Sequence, residues 1–293
     1  MKLNSIFLVI YFLQNNYVEV FMKNKDYKWT LKEVLERFES IEKELSLDKS
    51  IIQGVPWWDT LRYQLFNELL IKLELNKNFE RNKTIKVKNI ISNKIFNFFF
   101  TLKNITKFFS PKSPFWLNKN TNIILGHPRR KFEHGVYIDP YTDPFIDLFP
   151  KTIDFSVIER VENGRGHLSP SKTKNLFFAD ILYDLANIIS KFRRLKFHQK
   201  DLSTISCLEK SIYNEFACSF DILKRVKNII QYWLGMYPLM HFYFKLKKPK
   251  LLFVVVSHAQ EAIIAAAKSL GITTIELQHG SPARGKLNYD YTS

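Results

Sequence analysis

The spacing of apolar positions predicts helices at the start of the chain. Residues 28–47 place apolar side chains three and four positions apart, which is helical spacing, and Thr30 with Glu33 forms a candidate capping box. Leucines then recur every four positions between Thr60 and Leu75. The segment 53–59 between them contains Gly, Pro and two Trp and is typical of a turn. The pattern therefore predicts a helix, a turn and a second helix.

A different pattern marks the end of the chain. Leu251 to Val256 is continuously apolar and rich in β-branched residues, as a parallel strand covered on both faces requires. Residues 259–270 favour a helix, Gly271 stands where a helix-ending glycine belongs, and Ile272 to Leu277 forms a second apolar run. A crossover of this length predicts two neighbouring parallel strands joined by one helix.

The middle of the chain is less regular. Residues 123–126 and 135–139 each predict a short buried strand, and the prolines after them predict loops. From Thr173 to about Tyr243 the spacing is helical again. Residues 76–120 are rich in Lys and Asn and contain two runs of Phe, which are compatible with a buried helix or with a basic amphipathic helix on a membrane surface.

These elements predict an α/β protein with a Rossmann-like parallel sheet, helices on both faces, and a helical N-terminal region. We divide the chain into an extension (1–21), a helical region (22–120) and a Rossmann-like domain (121–293). The extension has an apolar run of about nine residues, whereas a membrane span needs about 20. We expect it to be extraneous or loosely packed, with the true start at Met1 or Met22.

Charge and cysteine usage bear on partners and location. Subtracting 28 acidic from 44 basic residues gives a net charge of +16, which favours phosphates and anionic membrane surfaces. The basic residues are scattered and follow no RNA-binding pattern, so nucleic acid is disfavoured. Cys207 and Cys218 match no metal or redox motif, and we expect both to be buried, reduced thiols of a cytoplasmic protein. No cofactor is predicted.

Three carboxylates raise the question of a metal site. Asp139, Asp143 and Asp147 are spaced four apart, but Pro140 and Pro144 oppose the helix that would align them. We interpret them as solvated loop carboxylates and predict no metal site.

The candidate chemistry lies where strands end, because open parallel sheets bind ligands beyond the carboxyl ends of their strands. His258 follows the first C-terminal strand, and Gln278-His279-Gly280 follows the second. His279 could act as a general base, Gly280 allows close approach of a ligand, and Arg284 could contact an anion. The alternative is that His279 is a capping or core histidine.

The segment Gln278-His279-Gly280 after a βαβ unit resembles the Gln-His-Gly segment of bacterial capsule and lipopolysaccharide glycosyltransferases of GT-B type. The segment from His279 to Arg284 is also similar to the His-Gly-Thr-Pro-x-Lys segment of CDP-glycerol glycerophosphotransferases. Weaker likenesses lie upstream, at residues 54–62, 126–129 and 137–144. The resemblance implies that His279 is catalytic or positions the acceptor. The candidate substrate-binding residues are Gln278, Gly280, Ser281, Arg284, His258 and Arg129.

Enzymes of that architecture carry a second, downstream Rossmann-like domain for the donor, and this chain ends thirteen residues after Gly280. We therefore expect an acceptor-side domain, truncated or split from its donor half. It would bind a glycan or lipid-linked acceptor at the cytoplasmic face of the membrane, and a nucleotide sugar or CDP-polyol only when a second domain is supplied. The alternatives are a non-catalytic fragment of the same fold that binds an anionic partner, and a basic nucleic-acid-binding protein.

Overall fold

The computed structural model describes residues 29–75, 107–127, 129–160 and 167–277, and within them it has an α/β architecture. Seven α-helices are described: α1 Leu31–Glu44, α2 Trp57–Lys72, α3 Thr142–Asp147, α4 Asp180–Lys191, α5 Gln199–Phe216, α6 Ile222–Lys247 and α7 Glu261–Lys268. The seven strands are β1 Asn122–Gly126, β2 Lys131–Glu133, β3 Val136–Ile138, β4 Phe155–Glu159, β5 Leu176–Phe178, β6 Leu251–Val254 and β7 Thr273–Glu276.

Five strands form one parallel sheet in the order β5-β4-β1-β6-β7, and β2 pairs with β3 in a separate antiparallel hairpin. The sheet is flanked by helices, as the sequence predicts. In chain order the five strands run outward from β1 to β4 and β5, and the chain then crosses to β6 and β7 on the other side of β1. This is the Rossmann order 3-2-1-4-5. All five strands are parallel, and the direction in which strands are added across the sheet reverses between β1 and β6.

The C-terminal βαβ unit is confirmed. Strands β6 and β7 pair in parallel, with Leu251 opposite Thr273 and Val254 opposite Glu276. Gly271 has φ +71°, the left-handed conformation that a side chain disfavours, and it ends the turn between α7 and β7.

The N-terminal helices also form as predicted. Thr30 accepts a hydrogen bond from the Glu33 amide, and the Glu33 carboxylate returns one to the Thr30 amide, which completes the capping box of α1. Between α1 and α2, the buried Glu42 carboxylate accepts from Trp58 Nε1 at 2.7 Å and from Arg62 Nε at 2.9 Å. This buried pair holds the two helices in register.

The larger core lies on one face of the sheet, where α4 and α6 pack against each other at Gly235. A Cβ built on Gly235 would lie 2.1 Å from the Ala186 carbonyl oxygen, so only glycine permits this approach. On the opposite face a smaller core joins Ile124, Phe155 and Phe253, and Phe145 of α3 packs against it.

Several predictions for the middle of the chain are wrong. Residues 136–138 form a half-buried strand of the hairpin, outside the main sheet. Leu176 to Phe178 is strand β5 where a helix was expected, because these residues pair with β4 and fill the small core. Helix α3 forms despite Pro144, since a proline in the first turn removes no intrahelical hydrogen bond.

The predictions for carboxylates and thiols also need correction. Asp139 is fully buried and Asp143 is 3% exposed, so neither is a solvated loop residue. Cys218 is buried, but Cys207 is exposed, and α5 ends at Phe216 between the two. In the described ranges, no helix combines the length and apolar character needed to cross a bilayer.

Candidate functional site

β1 and β6 are the neighbouring strands between which the strand order reverses, because the chain leads from β1 toward β4 and from β6 toward β7. Open α/β sheets bind ligands beyond the carboxyl ends of such a pair. We call this region the switch-point crevice. Its floor is a small cavity of about 20 Å³, lined by Gly126, Arg160, Gln260 and apolar side chains of α4 and α6. A cavity of this size admits one water-sized group.

His258 lies in the turn after β6, on one side of the crevice. Its ring contacts the Tyr63 ring edge-on at 4.9 Å, and its Nδ1 lies 3.6 Å from Glu261 Oε1. Burial lowers the pKa of His258 below its ordinary 6.5, so the imidazole is neutral near pH 7. A neutral imidazole can accept a proton from a bound hydroxyl.

Gln260 and Glu261 supply the polar atoms beside this histidine. Gln260 Oε1 is buried at the cavity and has no hydrogen-bond partner among the described residues. Burial raises the pKa of Glu261, and nearby Asp59 adds to the rise, whereas backbone hydrogen bonds from Glu261 and Ala259 oppose it. The crevice thus presents an unsatisfied acceptor oxygen, a neutral histidine and a carboxyl group that holds its proton more tightly than usual.

His127 and Arg129 follow β1 on the other side of the reversal point. The Arg129 amide donates to His127 Nδ1 at 3.0 Å, so this nitrogen carries no hydrogen and the neutral ring has its hydrogen on Nε2. Asp139 Oδ2 accepts from the His127 amide, and Asp139 Oδ1 accepts from the first amides of α3. Asp139 therefore ties the end of β1 to α3, a structural role for a buried carboxylate.

Of the predicted site residues, His258 and Arg129 lie in the described part of the chain. They follow neighbouring strands of one parallel sheet, so both leave the sheet at the same edge. Gln278, His279, Gly280, Ser281 and Arg284 lie outside the described residues. Leu277, the last described residue, donates its amide to the Val254 carbonyl at the same carboxyl edge.

A second polar cluster lies at the carboxyl ends of β4 and β5. Arg130 Nε donates to Glu159 Oε1 at 3.1 Å, and the two side chains are 2% and 5% exposed. Glu159 Oε2 lies 3.3 Å from His167 Nδ1, and His167 Nε2 lies 2.6 Å from Asp180 Oδ2. The His167 ring stacks on Phe178 with 3.4 Å between centroids. Four ionisable side chains thus form one continuous network.

The network keeps His167 protonated over a wider pH range than an isolated histidine. Burial disfavours the charged ring, but hydrogen bonds to Asp180 and Glu159 outweigh it, and the pKa of His167 is raised above 6.5. The hydrogen bond to His167 lowers the pKa of Asp180. Both shifts stabilise the ion pair that the geometry shows.

This cluster does not follow from the predicted elements, because β4 is not among them. The run Phe155 to Ile158 is a short apolar segment followed at once by Glu159 and Arg160, the same pattern that predicts a strand end before His258. Its single serine, Ser156, is buried beside Thr121 and its presence hid the strand. No group of three or more His, Cys, Asp or Glu residues within the described ranges could hold a metal ion.

The chain is classed here from its fold and its two polar clusters. No protein-family model matches it, and searches of curated proteins and of solved structures likewise give no match. What is established is an α/β, Rossmann-like protein with ionisable side chains along the carboxyl edge of its sheet.

Proposed function

We propose that this chain is the acceptor-side domain of a glycosyltransferase, or of a CDP-polyol phosphotransferase, in the synthesis of bacterial surface polysaccharide. The acceptor hydroxyl binds in the switch-point crevice. The resemblance of Gln278-His279-Gly280 motivates the enzyme class, and the strand order supports it, since the segment follows β7, which pairs with the reversal-point strand β6 in the same parallel sheet.

The observation that carries the proposal is the buried Oε1 of Gln260, which has no hydrogen-bond partner within the described ranges. A buried acceptor oxygen without a partner costs about 1–3 kcal/mol, which a ligand that donates a hydrogen bond would recover. A sugar or polyol hydroxyl is such a donor and fits a cavity of about 20 Å³. Phosphate, fully ionised, has only acceptor oxygens and cannot satisfy Gln260 Oε1.

In the proposed reaction an acceptor hydroxyl oxygen forms a bond to the anomeric carbon of a nucleotide sugar, and the bond from that carbon to the diphosphate breaks. The nucleotide diphosphate leaves with the bond electrons. His279 takes the hydroxyl proton, and neutral His258 is the alternative base in the described crevice. For a CDP-polyol donor, the phosphorus replaces the anomeric carbon and CMP leaves.

The donor would be held by a second domain and the acceptor by this one, at the cytoplasmic face of the membrane. Acceptor binding is therefore the property to test on the full 293-residue chain. The probes are purified capsule, lipopolysaccharide-core and teichoic-acid oligosaccharides, with single-stranded DNA as the nucleic-acid arm. Binding is measured by microscale thermophoresis for the wild type, Gln260→Leu and the control Lys210→Gln on the outer face of α5.

We expect at least one oligosaccharide class to bind, and Gln260→Leu to weaken it about tenfold, which corresponds to one hydrogen bond of about 1.4 kcal/mol. Lys210→Gln should bind like the wild type. Binding of DNA alone, with no oligosaccharide bound, would overturn the proposal. When a donor domain is supplied in trans, His279→Ala should lower transfer about 10²-fold or more, and an unchanged rate would remove His279 from the mechanism.

A further inference from the structure

A second pocket opens at the β5 end of the carboxyl edge, and the proposed function does not use it. We call it the corner pocket. It has a volume of about 140 Å³ and is lined by Lys107, Ser110, Lys112, Ser113, His167, Phe178, Asp180 and Ile181. One water needs a volume of about 10–15 Å³, so the corner pocket can hold several waters or a small organic anion.

The corner pocket is separate from the switch-point crevice. Strand β5 lies three strand positions from β6. The two cavities share no lining residue, although both border the start of α4: Phe178, Asp180 and Ile181 line the corner pocket, whereas Ala179 and Leu182 line the crevice cavity. Residues 107–113 reach the pocket because the Phe178 amide donates to the Lys112 carbonyl oxygen at 2.8 Å, which joins this segment to the end of β5.

The charges around the pocket do not cancel. Lys107 Nζ pairs with Asp184 at 2.5 Å, and His167 pairs with Asp180. Lys112 Nζ makes only a long 3.4 Å hydrogen bond to the Lys174 carbonyl oxygen, and no carboxylate in the described ranges pairs with it. The pocket therefore holds one cation whose charge is uncompensated by its described neighbours.

Two hydroxyl groups lie beside that cation. Ser110 Oγ accepts from the Lys112 amide at 3.3 Å, and Ser113 Oγ accepts from the Phe115 amide at 3.4 Å. Each hydroxyl hydrogen has no acceptor within the described part of the chain, so both remain available to donate. A lysine and two serine donors around a half-open pocket suit the oxygens of a phosphate group, while Phe178 offers an apolar wall to the rest of a ligand.

From this arrangement we infer that the corner pocket binds the phosphate group of a small phosphate ester, with Lys112, Ser110 and Ser113 as the phosphate donors. Behind the pocket, Arg130 and His167 are paired with Glu159 and Asp180, so the cation without a carboxylate partner among the described residues is Lys112. The proposal is independent of the acceptor site, because it shares no donor residue with the switch-point crevice.

Isothermal titration calorimetry on the full chain tests the inference with glycerol 3-phosphate, inorganic phosphate and, as the neutral analogue, glycerol. We expect both phosphates to bind and glycerol not to bind. Lys112→Gln should weaken phosphate binding about tenfold or more, since a hydrogen bond to a charged group is lost. Ser110→Ala should weaken it less, and Lys210→Gln, which removes the same charge from the outer face of α5, should leave it unchanged.

A phospholipid headgroup could supply the same phosphate, so a flotation assay forms the second arm, with vesicles of phosphatidylcholine alone or with phosphatidic acid. Binding of phosphatidic acid vesicles that Lys112→Gln abolishes, without binding of glycerol 3-phosphate, assigns the pocket to a headgroup. Binding of neither probe overturns the proposal. Equal binding by the wild type and a folded Lys112→Gln variant, with its circular dichroism unchanged, also overturns it.

Discussion

The corner network and the switch-point crevice hold their buried polar groups in different charge states. At the corner, Arg130, Glu159, His167 and Asp180 pair through charge, with distances from 2.6 to 3.3 Å. At the switch-point crevice, His258 is neutral, and Gln260 Oε1 has no hydrogen-bond partner among the described residues. The corner thus holds its buried groups as ion pairs, although Arg130 Nη1 and Nη2 also lack a described hydrogen-bond partner, whereas the crevice holds a neutral histidine and an unpaired amide oxygen.

This difference separates scaffold from site. The ionic network joins β4, β5 and α4, and breaking one of its buried ion pairs costs stability. An unsatisfied buried group costs stability in the free protein, and a ligand recovers that cost. We therefore expect changes at the corner network to act mainly on folding, and changes at the crevice to act mainly on binding.

Removing the central carboxylate of the corner network should have the largest effect. Glu159→Gln leaves the Arg130 guanidinium buried without its counter-ion, and we expect a loss of about 3–5 kcal/mol in the free energy of unfolding. Urea denaturation followed by circular dichroism measures it. The matched control is Glu133→Gln, on an exposed position of the hairpin, which should change stability by less than about 0.5 kcal/mol.

A double replacement sharpens this test. The double variant Arg130→Met/Glu159→Leu removes both charges of the buried pair. Because it leaves no unpaired guanidinium, it should have a higher free energy of unfolding than Glu159→Gln alone. If the double variant proves the less stable of the two, the two side chains stabilise the fold through contacts other than their charges, and the contrast between corner and crevice fails.

Helix α4 forms a wall of both regions, so disturbing its contact with α6 should affect them together. In Gly235→Ala the new Cβ meets the Ala186 carbonyl oxygen at 2.1 Å, and we expect a loss near the upper end of about 1–3 kcal/mol. The sign is diagnostic, because Gly→Ala in an unhindered helix is stabilising by up to about 1 kcal/mol. Thermal unfolding measures it, and a rise in melting temperature would contradict the close packing.

The sequence predicted the elements whose pattern is local. The α1 capping box and the βαβ unit from β6 to β7 could be predicted because each signal lies within about twenty-five residues and no distant contact overrides it. Strand β5 could not, because Leu176 to Phe178 is only three residues long and becomes a strand by pairing with β4. Asp139 likewise gains its role from His127, twelve residues away.

The same limit applies to the candidate sites. The rule that ligands bind where parallel strands end led to His258 because β6 was recognised. It could not lead to Glu159, because β4 was not predicted. It could not lead to the corner pocket, because the Lys112 segment is joined to β5 by a hydrogen bond from the amide of Phe178, sixty-six positions further along the chain. The predicted roles of His279 and Arg284 stay predictions.

Replacing the unsatisfied crevice residue should change stability little. Gln260→Leu removes a buried acceptor that has no partner, and we expect the free energy of unfolding to stay within about 1 kcal/mol of the wild type or to rise. Gln260→Glu is the contrasting variant, since it adds a charge to the same volume and should destabilise. A loss above about 2 kcal/mol in Gln260→Leu would show that Gln260 belongs to the scaffold.

The smallest expected effect is the most specific, because the two regions should respond to pH with opposite signs. The raised pKa of His167 contributes stability that is fully present below pH 6.5 and is lost as the pH rises through the folded-state value. The lowered pKa of His258 makes the unfolded state bind more protons, so stability is lost as the pH falls from 6.5 through the folded-state value.

Urea denaturation at about pH 5, 6.5 and 8 for the wild type, His167→Gln and His258→Gln measures these contributions. Relative to the wild type, His167→Gln should lose most stability at the lowest pH and least at the highest. His258→Gln should gain relative to the wild type as the pH falls. His241→Gln on α6, a half-buried histidine outside both regions, is the control. Parallel pH profiles for the two variants would mean that corner and crevice hold their histidines in the same charge state, and the contrast between a charged corner histidine and a neutral crevice histidine would be lost.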